Sequence, residues 1–325
     1  MGFALTFFAR RLTQGVIIVF LVSFTIFTLL RVVPGDPARI ILGPMATDEV
    51  VEQTARDMGL RDPIPMQYLR YLGQVTKGDF GTSFIKAKGG GAVGGARDEA
   101  RGERARVWDL VAETLPLTLI LAGFALVFTV LIAVPLGIAG GLMAGRWPDK
   151  LAVYAASVFV SMPNFWLAIV LALVVTAKLG WIPSIGYQNA AYAILPAIVI
   201  AIEMSPLFIR SLSVSIADTM RNSFVELAQV RGLPPMRIFT HHVLRNACVP
   251  VLNLFGVQIG ALLGGVLIVE FIFDYPGFGL LTVQAVLQRD FPVIQGIAII
   301  STSIFVVINI FVDFISAQID PRIEY

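Results

Sequence analysis

Of 325 residues, 57% are hydrophobic and only 14% are charged, with a mean hydropathy of +0.81. A soluble domain carries roughly 25% charged residues, so this balance points to the bilayer. The net charge of +2 is too small to argue for nucleic acid. The single cysteine, Cys248, rules out an internal disulfide and supplies no metal-ligand spacing.

The apolar residues sit in long blocks. A hydrocarbon core of about 30 Å needs roughly 20 apolar residues of helix. Six blocks satisfy this, at about 12–33, 114–144, 151–177, 191–212, 246–270 and 293–317. The first exceeds the apolar core of a signal peptide and runs into Pro34-Gly35-Asp36-Pro37 rather than a cleavage site, so it reads as a retained span.

Lysine and arginine in the short loops set the orientation. With the N-terminus inside, the inner segments hold Arg10, Arg11, Arg146, Lys150, Arg210, Arg221, Arg231, Arg237, Arg245 and Arg322. The short outer loops then hold only Lys178 and Arg289. Both termini are therefore expected to be cytoplasmic. The chain divides into an N-terminus and first span (1–33), an extracytoplasmic loop (34–113) and a transmembrane core (114–325) that contains a cytoplasmic loop at 213–245.

In the long outer loop, Thr47 can cap a helix whose first turn carries Asp48 and Glu49, and Gly59 can end it. A second apolar-patterned piece runs from Pro65 to Val75, and Gly78-Asp79-Phe80-Gly81 reads as a turn. Residues 86–106 are glycine-rich and then charged, with almost nothing to bury, which predicts flexibility. Within the spans, Gly137, Gly141 and Gly145, and again Gly256, Gly260 and Gly264, have the spacing that lets helices approach closely. Pro135, Pro163, Pro196 and Pro206 weaken the helical ladders.

Ionisable groups at membrane depth are costly and therefore functional candidates. Glu203 lies midway through the fourth block. Two readings stand: a carboxylate on a water-filled pathway, able to meet a peptide's amino terminus, or a structural partner for a donor on another helix. Asn164 and Gln258 are weaker polar candidates for the pathway. Glu270 and Asp274, near the outer end of the fifth block, either line an outer gate or are solvated, the second being preferred.

The loop at 213–245 carries Ser223-Phe224-Val225-Glu226-Leu227-Ala228-Gln229-Val230-Arg231-Gly232-Leu233-Pro234-Pro235. Ser223 and Glu226 have capping-box spacing, so a helix should start there. Gly232 suits the left-handed residue that ends it, with Leu233 folding back on Ala228. The prolines then open a second short helix that contains Arg237. The chemistry taken alone makes Glu226 a cap and nothing more.

Glu226, Ala228 and Gly232 match E-x-A-x-x-x-G in the loop before the penultimate span, which resembles the EAA motif of ABC-importer permeases. The general pattern continues to I-x-L-P. Here His242-Val243-Leu244-Arg245 stands instead, similar to the H-x-L-R-N-A of the peptide-permease branch, matched by His242, Leu244, Arg245, Asn246 and Ala247. Further fragments fall in the family's order. They are Arg31 to Pro37, Gly78 to Ser83, Ser161 to Trp166, Pro276 to Gly279, Arg289 to Pro292 and Asp320-Pro321-Arg322. The chain thus resembles the first membrane subunit of the oligopeptide/dipeptide ABC permeases, and departs from it most at 86–106.

That resemblance implies an all-α bundle of six transmembrane helices with the type I ABC-importer permease fold. It implies a heterodimer with a homologous second permease, two ABC ATPase subunits, an extracytoplasmic substrate-binding protein, a peptide substrate and surrounding membrane lipid. The loop with Ser223, Glu226, Ala228, Arg231, Gly232, Leu233 and Arg237 would dock on an ATPase. No phosphate loop of the Gly-x-x-x-x-Gly-Lys-Ser/Thr type occurs, so ATP and Mg would be bound by the partner ATPases and the chain would be neither an enzyme nor a cofactor carrier. Nickel, glutathione or another small solute is an alternative cargo. A channel or secondary carrier without ATP is a reading from another class.

Overall fold

A computed structural model describes residues 2–33, 35–87 and 103–319 of the chain. Pro34, the centre of the 86–106 insert and Asp320-Pro321-Arg322 lie outside the described residues. The chain falls into two compact units, Met1–Pro116 with Leu281–Val307, and Leu117–Leu280 with Ile308–Tyr325.

In the first unit, α1 (Gly2–Val32) is a membrane-length helix and α2 (Pro37–Leu42), α3 (Asp48–Asp57) and α4 (Ile64–Val75) follow it. Asp36 caps α2 by accepting from the Ala38 N–H at 2.9 Å, and its other oxygen takes Arg61 at 2.7 Å. The α3 helix stops at Gly59, whose φ of +67° is costly for any residue with a Cβ. Its closing bonds, Gly59 N–H to Arg56 O at 2.9 Å and Leu60 N–H to Ala55 O at 2.8 Å, satisfy carbonyls that the helix end would otherwise orphan. The α4 helix packs on α1 through Tyr68, buried edge-on among Phe20, Phe24 and Phe27, with its hydroxyl 2.7 Å from Ser23 Oγ.

Two strands follow, β1 (Thr82–Ala87) and β2 (Arg104–Arg106), paired antiparallel. The ends of the 86–106 segment are therefore ordered strand, contrary to the flexibility expected of it. The cause is a partner distant in sequence: Asp290 accepts from the Ser83 hydroxyl and, at 3.0 Å, from the Phe84 N–H, which anchors β1 at its start. Helix α5 (Val107–Leu142) begins directly after β2, several residues before its expected start at 114. Asp109 and Glu113 fall in its first turns, where acidic side chains favour the positive helix end.

In the second unit, α5 continues to Leu142 and is followed by α6 (Trp147–Ser161) and α7 (Asn164–Leu171), the latter extended by a π-helical turn to Lys178. The expected third span is not one straight helix: its two pieces meet at 92°. Met162, held at ψ 117° by the proline that follows it, cannot stay helical, and Pro163 starts the new direction. Among the described residues five helices are long and apolar enough to cross a membrane, and the bent pair brings the number to six.

Helix α8 (Ile194–Met220) is the centre of this unit, with 67% of its apolar stretch buried. Pro196 falls in its first turn, where a missing N–H costs nothing. Gly137 and Gly141 of α5 pack against Leu212 and Ile216, where a Cβ would collide with the neighbouring side chain. Gly145 does not belong to that stripe. It lies past the helix end at φ +80°, its N–H donating to Asp149 Oδ2 at 2.8 Å, and Gly140 against Ser213 fills the third place instead.

After α8 come α9 (Ser223–Val230), α10 (Pro235–Arg237), a π-helical turn at Ile238–Val243 and α11 (Leu244–Ile272). The second short helix expected after the prolines is thus continuous with the fifth span, since no proline or glycine intervenes before Pro250. In α11, Gly256 lies against Val312 while Gly264 meets open space. Helix α12 (Phe278–Gln288) has no counterpart in the sequence reading, and α13 (Phe291–Ile319) is the last span.

Candidate functional site

The segment from Asn222 to Arg237 is built by local rules. Asn222 is extended (φ −75°, ψ 144°) and its carbonyl accepts from the Val225 and Glu226 N–H groups. Asn222 therefore holds the cap position and Ser223 is the first helical residue, so the expected Ser223–Glu226 capping box does not form. Asn222 takes this position through its backbone alone: its side chain makes no cap bond, and its Nδ2 donates back to Asp218 O at 3.4 Å. Glu226 is released from that duty: it is exposed and hydrogen-bonds to no other described side chain.

The helix stop is as the sequence implies. Gly232 sits at φ +72°, its N–H reaching Gln229 O at 2.9 Å, and the Leu233 N–H reaches Ala228 O at 3.2 Å. Eight residues of helix are too few to persist alone in water. Val225 and Ala228 hold α9 by burying themselves with Leu212, Ile216, Ile238, Val243 and Ala247. Phe224, Leu227 and Val230 remain exposed, at 39%, 58% and 80%. In the same segment Leu142, Met220, Gln229, Leu233, Met236 and Phe239 line a hollow of about 560 Å³, and Arg231 and Arg237 are exposed. The sequence reading missed the three exposed apolar residues. Their signal was a short helix with more apolar positions than its buried face needs, within a polar, arginine-bearing loop, and exposed apolar surface marks an interaction site.

At membrane depth, two of the pathway candidates meet. The 92° bend places Asn164 at the start of α7, and its Nδ2 donates to Glu203 Oε2 at 3.1 Å. Glu203 is exposed, and Gly265 of α11 leaves room for it: a Cβ there would lie 3.3 Å from its Oε2. Gln258 is half-buried on α11 and bonds to neither.

Glu270 overturns the expectation that it is solvated, for it is fully buried. Its Oε1 accepts from Thr118 Oγ1 at 2.5 Å, and its Oε2 accepts from the Gly279 and Leu280 N–H groups at 2.7 and 3.0 Å. These N–H groups open α12, so the carboxylate caps that helix from another element. Gly277 and Gly279 permit the burial because a Cβ on either would overlap the carboxylate. Thr118 was missed, and a threonine in an apolar span gives no sign of so distant a partner. Asp274 is exposed, at a left-handed φ of +48°.

Comparison with known proteins identifies the family. The family model for the binding-protein-dependent transport system inner membrane component matches residues 133–325, and that for the N-terminal part of such components matches residues 4–122. The glutathione transport system permease protein GsiC of Escherichia coli K12 is 32% identical over 321 residues, covering 99% of each chain. The GsiC proteins of Salmonella typhimurium LT2 and Shigella flexneri serotype 5b are similar to the same degree. Among solved structures, the MetNI methionine ABC transporter in inward-facing conformations superposes with a TM-score of 0.55 at 16% identity. That match covers 65% of this chain and 96% of the other, and supports the type I importer fold. The chain belongs to the binding-protein-dependent transport system inner membrane components, as an ABC-importer permease subunit of the peptide-importer branch.

Proposed function

We propose that the chain forms one half of a membrane pore that imports small peptides, beside a homologous second permease, with both termini on the cytoplasmic side. Two ABC ATPases dock from that side and an extracytoplasmic binding protein delivers the cargo. The supporting observation is the Asn222 to Arg237 unit: a helix anchored by Val225 and Ala228 that presents Phe224, Leu227, Val230 and the unengaged Glu226 outward. In this reading ATP binding closes the ATPase pair, and the displacement of α9 and α10 passes directly into the fifth span, because α10 and α11 are one continuous run. Two states that ATP stabilises differently are required for such coupling.

Glutathione, itself a small peptide, is a second cargo supported by the names of the relatives at 32% identity. Asn164 and Glu203 are the groups proposed to face it, the carboxylate meeting a cationic amino group. Co-purification tests the docking: Leu227→Asp and Val230→Asp should reduce the ATPase recovered with the chain at least severalfold at unchanged membrane content. Undiminished recovery in both would rule the docking surface out.

A further inference from the structure

Among the described residues, the buried side-chain polar atoms that lack a partner are Thr28 Oγ1, Arg31 Nε, Gln67 Oε1, Tyr71 OH and Gln295 Nε2. The last four belong to residues lining a single cavity of about 270 Å³ in the first unit. An unsatisfied buried polar atom is destabilising, so four around one space call for a common partner. The two glutamines are 8% and 6% exposed, and Arg31 and Tyr71 are half-buried.

The lining defines what fits. The orientation of Gln67 is fixed, because its Nε2 donates to Leu60 O at 3.0 Å and Asp62 O at 2.7 Å, which leaves Oε1 as an acceptor only. Arg31 Nε and Gln295 Nε2 are donors only, and Tyr71 is kept as the neutral phenol because burial pushes its pKa up. No carboxylate lines the cavity. Arg70 is neutralised by its ion pair with Asp62, whereas the Arg31 guanidinium lies over the Phe27 ring, 5.0 Å from its centroid. The cavity therefore carries an excess positive charge, two or three donors and one acceptor.

We propose that this cavity binds a short zwitterion, its carboxylate or phosphate held by Arg31, Gln295 and Tyr71 and its neighbouring ammonium or amide N–H donating to Gln67. Two sources carry that chemistry. Arg31 stands in the last turn of a membrane-spanning helix, at the depth of lipid headgroups, which suits a phospholipid with a primary ammonium. A free dipeptide presents the same pair of groups. Phosphatidylcholine does not, since its ammonium has no N–H. The site is independent of what the chain transports, so a failure of ATP-driven uptake would leave it standing.

The full chain in nanodiscs provides the test. In one arm the discs contain phosphatidylethanolamine in phosphatidylcholine, and native mass spectrometry measures the phosphatidylethanolamine retained. In the other they are phosphatidylcholine alone, and equilibrium dialysis measures labelled dialanine. Arg31→Met and Gln295→Leu should each weaken binding in at least one arm by about tenfold, the worth of one or two such hydrogen bonds. Arg39→Met, which breaks only the exposed pair with Asp48, should change neither arm. Should Arg31→Met fail to fold, Gln295→Leu decides, because it leaves every charge in place. Absence of binding in both arms, or equal binding by wild type and the folded pocket variants, means ordered water only and overturns the proposal.

Discussion

Thr118 Oγ1 donates a 2.5 Å hydrogen bond to Glu270 Oε1, joining residues 152 positions apart. The Phe278 N–H donates to the same threonine oxygen at 2.7 Å, so a chain of bonds runs from the backbone through Thr118 to the carboxylate. With Gly279 and Leu280 on Oε2, Glu270 fixes the turn between α11 and α12.

Glu270→Ala should therefore orphan two N–H groups and a hydroxyl, and lower stability by about 3 kcal/mol or more. Glu270→Gln keeps one acceptor oxygen and should lose less. Thermal unfolding of the detergent-solubilised chain measures both. An alanine variant as stable as wild type would mean that the turn holds without the carboxylate.

Gly232 isolates a backbone effect. A Cβ there meets nothing within 4 Å, so the cost of Gly232→Ala is that of the left-handed conformation alone, about 1–2 kcal/mol. Gly232→Asn should cost less, since asparagine tolerates this region. Hydrogen exchange at the Leu233 amide, which closes the helix stop, should rank the variants Gly, Asn, Ala. Equal protection in all three would contradict the stop.

Asp290 predicts a pH dependence in the strand pair. Burial pushes its carboxyl up from the usual value, and hydrogen bonds from Ser83 and the backbone of Phe84, Val293 and Ile85 offset this only in part. Nearby Lys86, its Nζ donating to Gln284 Oε1 at 3.0 Å, is itself pushed down by burial. A folded pKa above the unfolded one means that the folded state binds more protons within that window. Stability at the hairpin is thus fully present below the ordinary carboxylate value and falls as pH rises through the raised one. Exchange at the Phe84 amide, corrected for intrinsic rates, should show this slope in wild type and lose it in Asp290→Asn. The same slope in the variant would assign it to another group.

These examples also mark what a reader of the sequence can reach. The Gly59 and Gly232 stops were legible because a left-handed residue with a short-range closing bond is a local matter. The bend at Pro163 was legible as a weak point, but its angle of 92° depends on what the two pieces pack against. Glu270 was misread because its burial requires Thr118, Gly277 and Gly279 to converge, and hydropathy along the chain carries no trace of such convergence. The capping box failed more simply, since the first helical bonds run to the Asn222 carbonyl and draw Ser223 into the helix. The exposed Phe224, Leu227 and Val230 show that an apolar helix in a polar loop was read for its stop signals rather than for its surface.

Asn164 and Glu203 supply a prediction about cargo. If their contact lies on the pathway, Glu203→Gln should preserve the hydrogen bond yet lower uptake of a peptide with a free amino terminus by about tenfold. The N-acetylated peptide should be affected far less. Equal effects on both, measured as initial rates in proteoliposomes, would make the pair structural.

The most direct measurement is uptake of labelled dipeptide and glutathione by proteoliposomes containing the chain with its permease, ATPase and binding-protein partners. Uptake should require ATP and the binding protein, and should be abolished by Leu227→Asp while the ATPases still hydrolyse ATP. Transport by the chain alone on an ion gradient, or full ATP-driven transport by Leu227→Asp, would contradict the importer mechanism proposed here.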